Sequence, residues 1–370
     1  MKNYLLKTLR TNTINENEYL NSFIENIISL RKSLYVFSEK LPKPLGENLV
    51  THYENRLKTA ASNPMLGEYA IFLIGDLFKI PKKIINQLSF PWLLLYDYCL
   101  MLDDLIDNSH QNYSQKLLTS QITLQSAIKE YNNIFKNDSA LWDSFNIYYN
   151  QWFAAMLFEL GNKNQSINKI SNDEFLQQGR KSALVKFCAS SLVILNNRRS
   201  LNIAEETCLD SICCGVQLLD DLTDIENDFN YGISNTLITK MQQWIENNKI
   251  ESTLDIKNLS LNQLKIILIF SGAITESLTI AQKYLYEGIN LAPNSDGITS
   301  KYFNHIIKKC SVNIELIDIV IKDITFDKVL VLLLTDELEK NRIYQIDSHK
   351  IEDIWQNINS LFLNIPKACN

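Results

Sequence analysis

The sequence predicts an all-α fold, and three observations carry the prediction. Between Pro91 and Pro293 there is no proline, across about 200 residues in which an average composition would place roughly ten. Glycine is also sparse there, so little interrupts a helix through the middle of the chain. Two long apolar runs, LLLYDYCLMLDDLIDNS at 93–109 and GVQLLDDLTDIENDFNYG at 215–232, read as helices that end in carboxylates spaced DDxxD.

Taken in order, residues 18–38 form an amphipathic segment closed by the breaker LPKPLG at 41–46. Helices are expected over 47–61, ending before Asn63-Pro64, and over 65–78. A short helix starts near Pro81, and Ser89 with Pro91 marks a start for the first acidic helix. Residues 108–114 read as a polar loop. The helices over 115–135 and 141–160 follow, the second rich in aromatics. A polar loop at 161–172 delivers Ser171-Asn-Asp-Glu174, a capped helix start, and that helix carries Arg180, Lys181 and Lys186 to about 197. The second acidic helix is expected over 205–229, with an exit loop at 231–235. Segments 237–248, 261–290, 298–316 and 327–340 supply the remaining helices, followed by a polar tail. With no linker and no repeat beyond the paired acidic motif, one domain over 1–370 is expected, with 1–60 as peripheral N-terminal helices.

Composition narrows the function. Apolar residues make up 46% and charged residues 21%, an ordinary globular balance. A formal charge of −6 and the lack of a basic stripe argue against a nucleic-acid partner. The seven cysteines lack CxxC spacing and sit mostly in apolar helical runs, which points to reduced, buried thiols. The N-terminal stretch turns polar at once, and the longest apolar runs are too short to span a bilayer, so a cytoplasmic protein without a transmembrane segment is expected. Four scattered histidines give little support to a zinc site, and no P-loop, GxGxxG or Ser/His/Asp order is present.

The carboxylates are the informative feature. At about 100° per residue, Gln217, Asp220, Asp221, Asp224 and Asp228 fall in roughly one 100° sector. A wet surface would also explain that sector. One or two turns earlier, however, the same sector holds Leu209, Cys213 and Val216, and in the first run Trp92, Tyr96, Cys99 and Leu100 lead into Asp103, Asp104 and Asp107. The first run is apolar on its other side too, as a buried helix is. Unpaired buried charge is costly, so carboxylates there need a partner. Two such helices describe an apolar cavity with an acidic mouth, and carboxylate oxygens suit Mg²⁺.

These residues resemble the all-α class I isoprenoid synthases: trans-prenyl diphosphate synthases, squalene and phytoene synthases, and class I terpene cyclases. DDLIDNS is similar to the first aspartate-rich motif of prenyl diphosphate synthases, and QLLDDLTDIEND at 217–228 to the second. Asp224, Asp228 and Gly232 resemble the D-x-x-x-D-x-x-x-G pattern of squalene and phytoene synthases, and Gly179-Arg-Lys-Ser-Ala183 resembles the helix that offers a Lys to diphosphate. The resemblance covers about residues 90–240.

There are departures. His110-Gln111 follows the first motif where chain-elongating synthases carry an Arg pair, and no GGK segment occurs. Leu100 and Ile233 stand where squalene and phytoene synthases carry Arg. The second motif is DDxxD rather than the usual cyclase NDxxSxxxE.

The resemblance implies a helical bundle around a central cavity and a terpene synthase acting on a linear prenyl diphosphate. A prenyltransferase or a head-to-head, squalene- or phytoene-like synthase using two substrates, and a non-catalytic subunit of a prenyl synthase, are the alternatives. It implies two or three Mg²⁺, or Mn²⁺, held by Asp103, Asp104, Asp107, Asp220, Asp221, Asp224 and Asp228, with Arg180, Lys181 and Gln217 toward the diphosphate. Trp92, Tyr96, Phe145, Tyr149 and Trp152 are candidates for the cavity wall. Arg342 and Tyr344 resemble the C-terminal Arg-Tyr pair of some cyclases. A helical homodimer is common among the proteins this chain resembles, and the sequence leaves the oligomeric state open.

Overall fold

The computed structural model describes residues 19–59, 66–107, 113–136, 138–162, 180–196, 200–231, 236–248, 259–323, 329 and 348–361. The described elements are all helical. A 3-10 turn, Leu20–Phe23, leads into α1 (Ile24–Ser38), α2 (Leu45–Thr59), α3 (Leu66–Leu77), α4 (Lys82–Asp107), α5 (Tyr113–Phe135) and α6 (Ser139–Asn162). A second 3-10 turn, Arg180–Ser182, opens α7 (Ala183–Leu195), followed by α8 (Ile203–Thr223), α9 (Ile225–Tyr231), α10 (Thr236–Asn247), α11 (Leu261–Phe270), α12 (Ala273–Leu291), α13 (Ile298–Asp323) and α14 (Ser348–Asn359). The helix expected over 327–340, Val329 apart, and the start at Ser171 of the helix expected to run to about 197 lie outside the described residues, while the end of the latter is α7.

Four expectations are corrected. Helix α4 runs unbroken through Pro91, where the sequence predicts a short helix and a fresh start. Proline inside a helix costs about 3 kcal/mol, and burial of Leu88, Trp92, Leu93, Leu94 and Leu95 around it offsets that. The second acidic segment is two helices, because Asp224 leaves helical geometry at φ −95°, ψ 1°. Just before it, the Thr223 hydroxyl donates to the Asp220 carbonyl at 3.0 Å, a side-chain competitor for a helix carbonyl.

The segment expected over 261–290 is bent by 62° at Gly272, whose φ of +76° suits glycine and begins α12. Finally, the tail read as polar carries α14, with Ile351, Ile354, Trp355 and Ile358 buried at helical spacing. Among the described helices none alone is long and apolar enough to cross a membrane. Helices α11 and α12 pass that test only as a bent pair, and most of their apolar residues are buried in the core.

The second acidic helix is held by close contact. Helices α8 and α12 form the most extensive helix pair among the described residues. A Cβ on Gly215 would stand 2.7 Å from Leu285 Cγ, and one on Gly288 would stand 2.6 Å from Ile212 Cγ1. Each helix therefore contributes a glycine where the other presents a branched side chain. At its start α8 is fixed by a capping box, the Asn202 side chain accepting from Glu205 N–H and Glu205 accepting from Asn202 N–H, each at 2.9 Å.

The first acidic helix is held from the N-terminal side. Helices α1 and α2 pack on α4 and α5. Between them lies a buried polar group: Arg31 Nε and Nη2 donate to Glu68 at 2.8 and 2.6 Å, and Tyr53 Oη donates to the same carboxylate. Arg56 donates to Asp97 at 3.0 Å. At the other end, Lys309 on α13 donates to the Ser360 carbonyl at 2.5 Å and ties down the end of α14.

Two stability predictions follow from these buried charges. Glu68→Gln leaves the Arg31 guanidinium without its counter-charge and is expected to cost about 3 kcal/mol in urea unfolding, much of it recovered in Arg31→Met/Glu68→Leu. Burial lowers the Lys309 ammonium from 10.5 to about 8. The native chain then binds fewer protons than the unfolded chain across that window, so this group's contribution to stability rises with pH from about 8 to 10.5 and is lost as pH falls through 8. Lys309→Met is expected to lack that rise when denaturation midpoints are compared at the two ends of the window.

Candidate active site

Helices α3, α4, α6, α7, α8 and α13 surround a cavity of about 480 Å³. Helices α4 and α8 scarcely touch one another and form opposite walls. Leu95, Cys99 and Leu100 on α4 face inward, as do Leu209, Cys213 and Val216 on α8. On each wall the apolar stripe ends in a carboxylate at the mouth, Asp103 on α4 and Asp220 on α8. Lys181, from the 3-10 turn before α7, and Gln217 stand with them. Trp92, Tyr96 and Trp152 line the body of the cavity.

The mouth concentrates negative charge. Asp103 and Asp220 lie in the last turns of α4 and α8, where the helix dipole is already negative and no basic residue is present. Asp220 keeps water access at the mouth. The protein crowded around it, and then the carboxylates of Asp224, Asp221 and Asp228, push its carboxyl up to about 7, while the Lys181 ammonium pulls it down. Asp221 accepts from Gln217 Nε2 at 2.8 Å, one turn earlier on the helix. Asp224 sits at the break between α8 and α9, so Asp228 belongs to a separate helix from Asp220.

Among the described residues no three His, Cys, Asp or Glu side chains gather closely enough to cage an ion. Carboxylates spread around a mouth fit Mg²⁺, which keeps several waters and is completed by phosphate oxygens.

Other predicted residues lie elsewhere. Asp104 turns away from the cavity lining to Lys116 at the start of α5, at 2.6 Å. Phe145 and Tyr149 are not part of the lining. Phe145 packs edge-on against Phe187 and stacks on Tyr149, whose hydroxyl shares a 2.8 Å hydrogen bond with Tyr98. The side chains of Asp107 and Arg180, and Arg342 and Tyr344 entirely, lie outside the described residues.

Sequence reasoning missed the wall contributed by α3 and the floor at Thr299 and Phe303 on α13. Its signal was present as Gly67 in an otherwise bulky apolar run. Tyr96 lies flat against Gly67 with no room for a Cβ between them. Trp92 stacks on Tyr96 at 6.2 Å and donates to the Gly67 carbonyl at 2.8 Å. From the outer side Arg56 covers the same ring at 5.2 Å to its centroid. Arg56, on α2, thereby holds a wall residue of a cavity that α2 itself does not line.

The chain has an all-α, isoprenoid synthase-like fold. It is similar to a polyprenyl synthase from Caulobacter crescentus CB15, complexed with calcium and isoprenyl diphosphate, with a TM-score of 0.58 and 12% identity over 74% of this chain and 91% of that one. It is also similar to a geranylgeranyl pyrophosphate synthase from Lactobacillus brevis ATCC 367, with a TM-score of 0.58 and 12% identity over 73% and 90%. In sequence the chain matches no family model and no curated protein.

Gly67→Ala is expected to push Tyr96 off its seat and destabilise the protein by about 1–3 kcal/mol. Recovery of the denaturation midpoint in Gly67→Ala/Tyr96→Leu would tie the loss to that ring.

Proposed function

We propose that the chain is a class I terpene synthase that ionises one linear prenyl diphosphate and converts the allylic cation, by cyclisation or elimination, with release of pyrophosphate. The observation that carries this reading is the division of a single cavity into an apolar body and a mouth where Asp103 and Asp220 stand beside Lys181. Asp103 and Asp107 on one side, and Asp220, Asp221, Asp224 and Asp228 on the other, would hold two or three Mg²⁺, or Mn²⁺. Such ions, when bound, supply Lewis-acid stabilisation of charge on the departing diphosphate.

The chain's own residues do the rest. Lys181 adds positive charge at the leaving group, while Leu95, Leu209 and Val216 keep water from the hydrocarbon part. Trp92, Tyr96 and Trp152 offer aromatic faces to a cation in the cavity. A single diphosphate is favoured because Arg56 and Lys116, cations near the first motif, are each paired with a carboxylate, Asp97 and Asp104.

The two similar structures are prenyl diphosphate synthases, which favours a second reading in which the cation is joined to another prenyl unit. Incubation with prenyl diphosphates of increasing length and Mg²⁺, with and without isopentenyl diphosphate, separates the two. A hydrocarbon or alcohol from one substrate supports the first reading, and a lengthened diphosphate made only with isopentenyl diphosphate supports the second. No pyrophosphate release from any length overturns both. Asp103→Ala and Asp220→Ala are each expected to lower pyrophosphate release at least about a hundredfold with the helical circular dichroism unchanged.

A further inference from the structure

Consecutive residues on an α-helix project about 100° apart, so the paired aspartates of the first cluster cannot share a direction. Asp103 lines the cavity and Asp104 does not. Asp104 leans to the first turn of α5, where Lys116 Nζ lies 2.6 Å from its Oδ2. Both side chains are only 32% exposed, so the pair is partly sheltered from screening. On the same side of α4, Arg56 from α2 is itself bound to Asp97. This side of α4 thus answers carboxylate charge with cations from the chain, whereas the cavity side gathers carboxylates around Asp220.

We propose that Lys116 is a positioning residue that neutralises Asp104 and holds it away from the cavity mouth, so that the empty site takes up divalent cations weakly and fills when a diphosphate arrives. This rests on the metal-dependent reading above. With Lys116 in place, the first cluster offers the mouth Asp103, and the net charge of the Asp104–Lys116 pair is zero. A site with fewer free carboxylates binds Mg²⁺ less tightly and leaves more of its coordination to phosphate oxygens and water. Removing the lysine leaves the Asp104 carboxylate uncompensated beside the rim, one negative charge more within reach of a bound cation.

The test is Mn²⁺ uptake by the full-length protein, read from the loss of the free aqueous ion's EPR signal, with and without added pyrophosphate. Wild type, Lys116→Met, Lys116→Arg and Lys116→Met/Asp104→Asn are compared, each checked for folding by its thermal melt. Lys116→Met is expected to bind Mn²⁺ roughly fivefold more tightly without pyrophosphate. Lys116→Arg keeps the wild-type affinity, and the gain disappears in the double variant. Unchanged or weaker uptake by Lys116→Met overturns the proposal, and so does a gain that persists in the double variant, since the freed Asp104 would then play no part. Wild-type protein that takes up no Mn²⁺ even with pyrophosphate overturns the metal reading itself, a result distinct from either of these.

Discussion

Like charges held apart at the mouth of an apolar cavity are the constraint on which the rest of this structure depends. Asp103 and Asp220 stand at the negative ends of two helices that scarcely touch, with further carboxylates next to Asp220. Each helix must be fixed from behind, and the packing supplies that. Gly215 and Gly288 let α8 and α12 approach closely, and α4 is backed by α3 and α5. The electrostatic cost at the mouth is offset by apolar burial elsewhere, as strain at a working site must be.

The N-terminal helices take part in this support. Arg31 and Tyr53 close on Glu68 at the base of α3, and Arg56 crosses from α2 to hold Asp97 and cover Tyr96. A cavity wall one aromatic ring thick is thus set between a glycine inside the bundle and a guanidinium outside it. The same face of α4 binds Asp104 to Lys116. One helix therefore carries two electrostatic environments, an acidic one toward the cavity and a neutralised one toward α2 and α5, separated by a single 100° step.

The break at Asp224 matters in a similar way. A continuous helix would keep Asp220, Asp221, Asp224 and Asp228 in one narrow stripe. Ending α8 at Asp224 places Asp228 on the short helix α9, so the second cluster is shared between two helices instead of one. A spread set of oxygen ligands is what an ion shared with a diphosphate needs, in contrast to one caged by the protein.

Much of this was legible in the residues. The absence of proline and scarcity of glycine gave the helical class, and the apolar stripes running into Asp103 and Asp220 gave a cavity with an acidic mouth, because helical periodicity alone fixes which side chains share a face. The same periodicity was present in α14, at Ile351, Ile354, Trp355 and Ile358, and was hidden by polar neighbours. Other features depend on contacts between segments distant in sequence. Phe145 and Tyr149 look like cavity aromatics by spacing and composition, yet their rings meet Phe187 and Tyr98 instead. The floor at Thr299 and Phe303 comes from about 200 residues beyond the first motif. The sequence by itself determined which helices carry charge and on which face. Only the tertiary structure decided which charges meet, because the choice between Asp103 at the mouth and Asp104 against Lys116 rests on how α4 is rotated against its neighbours, a property of packing that no local pattern contains.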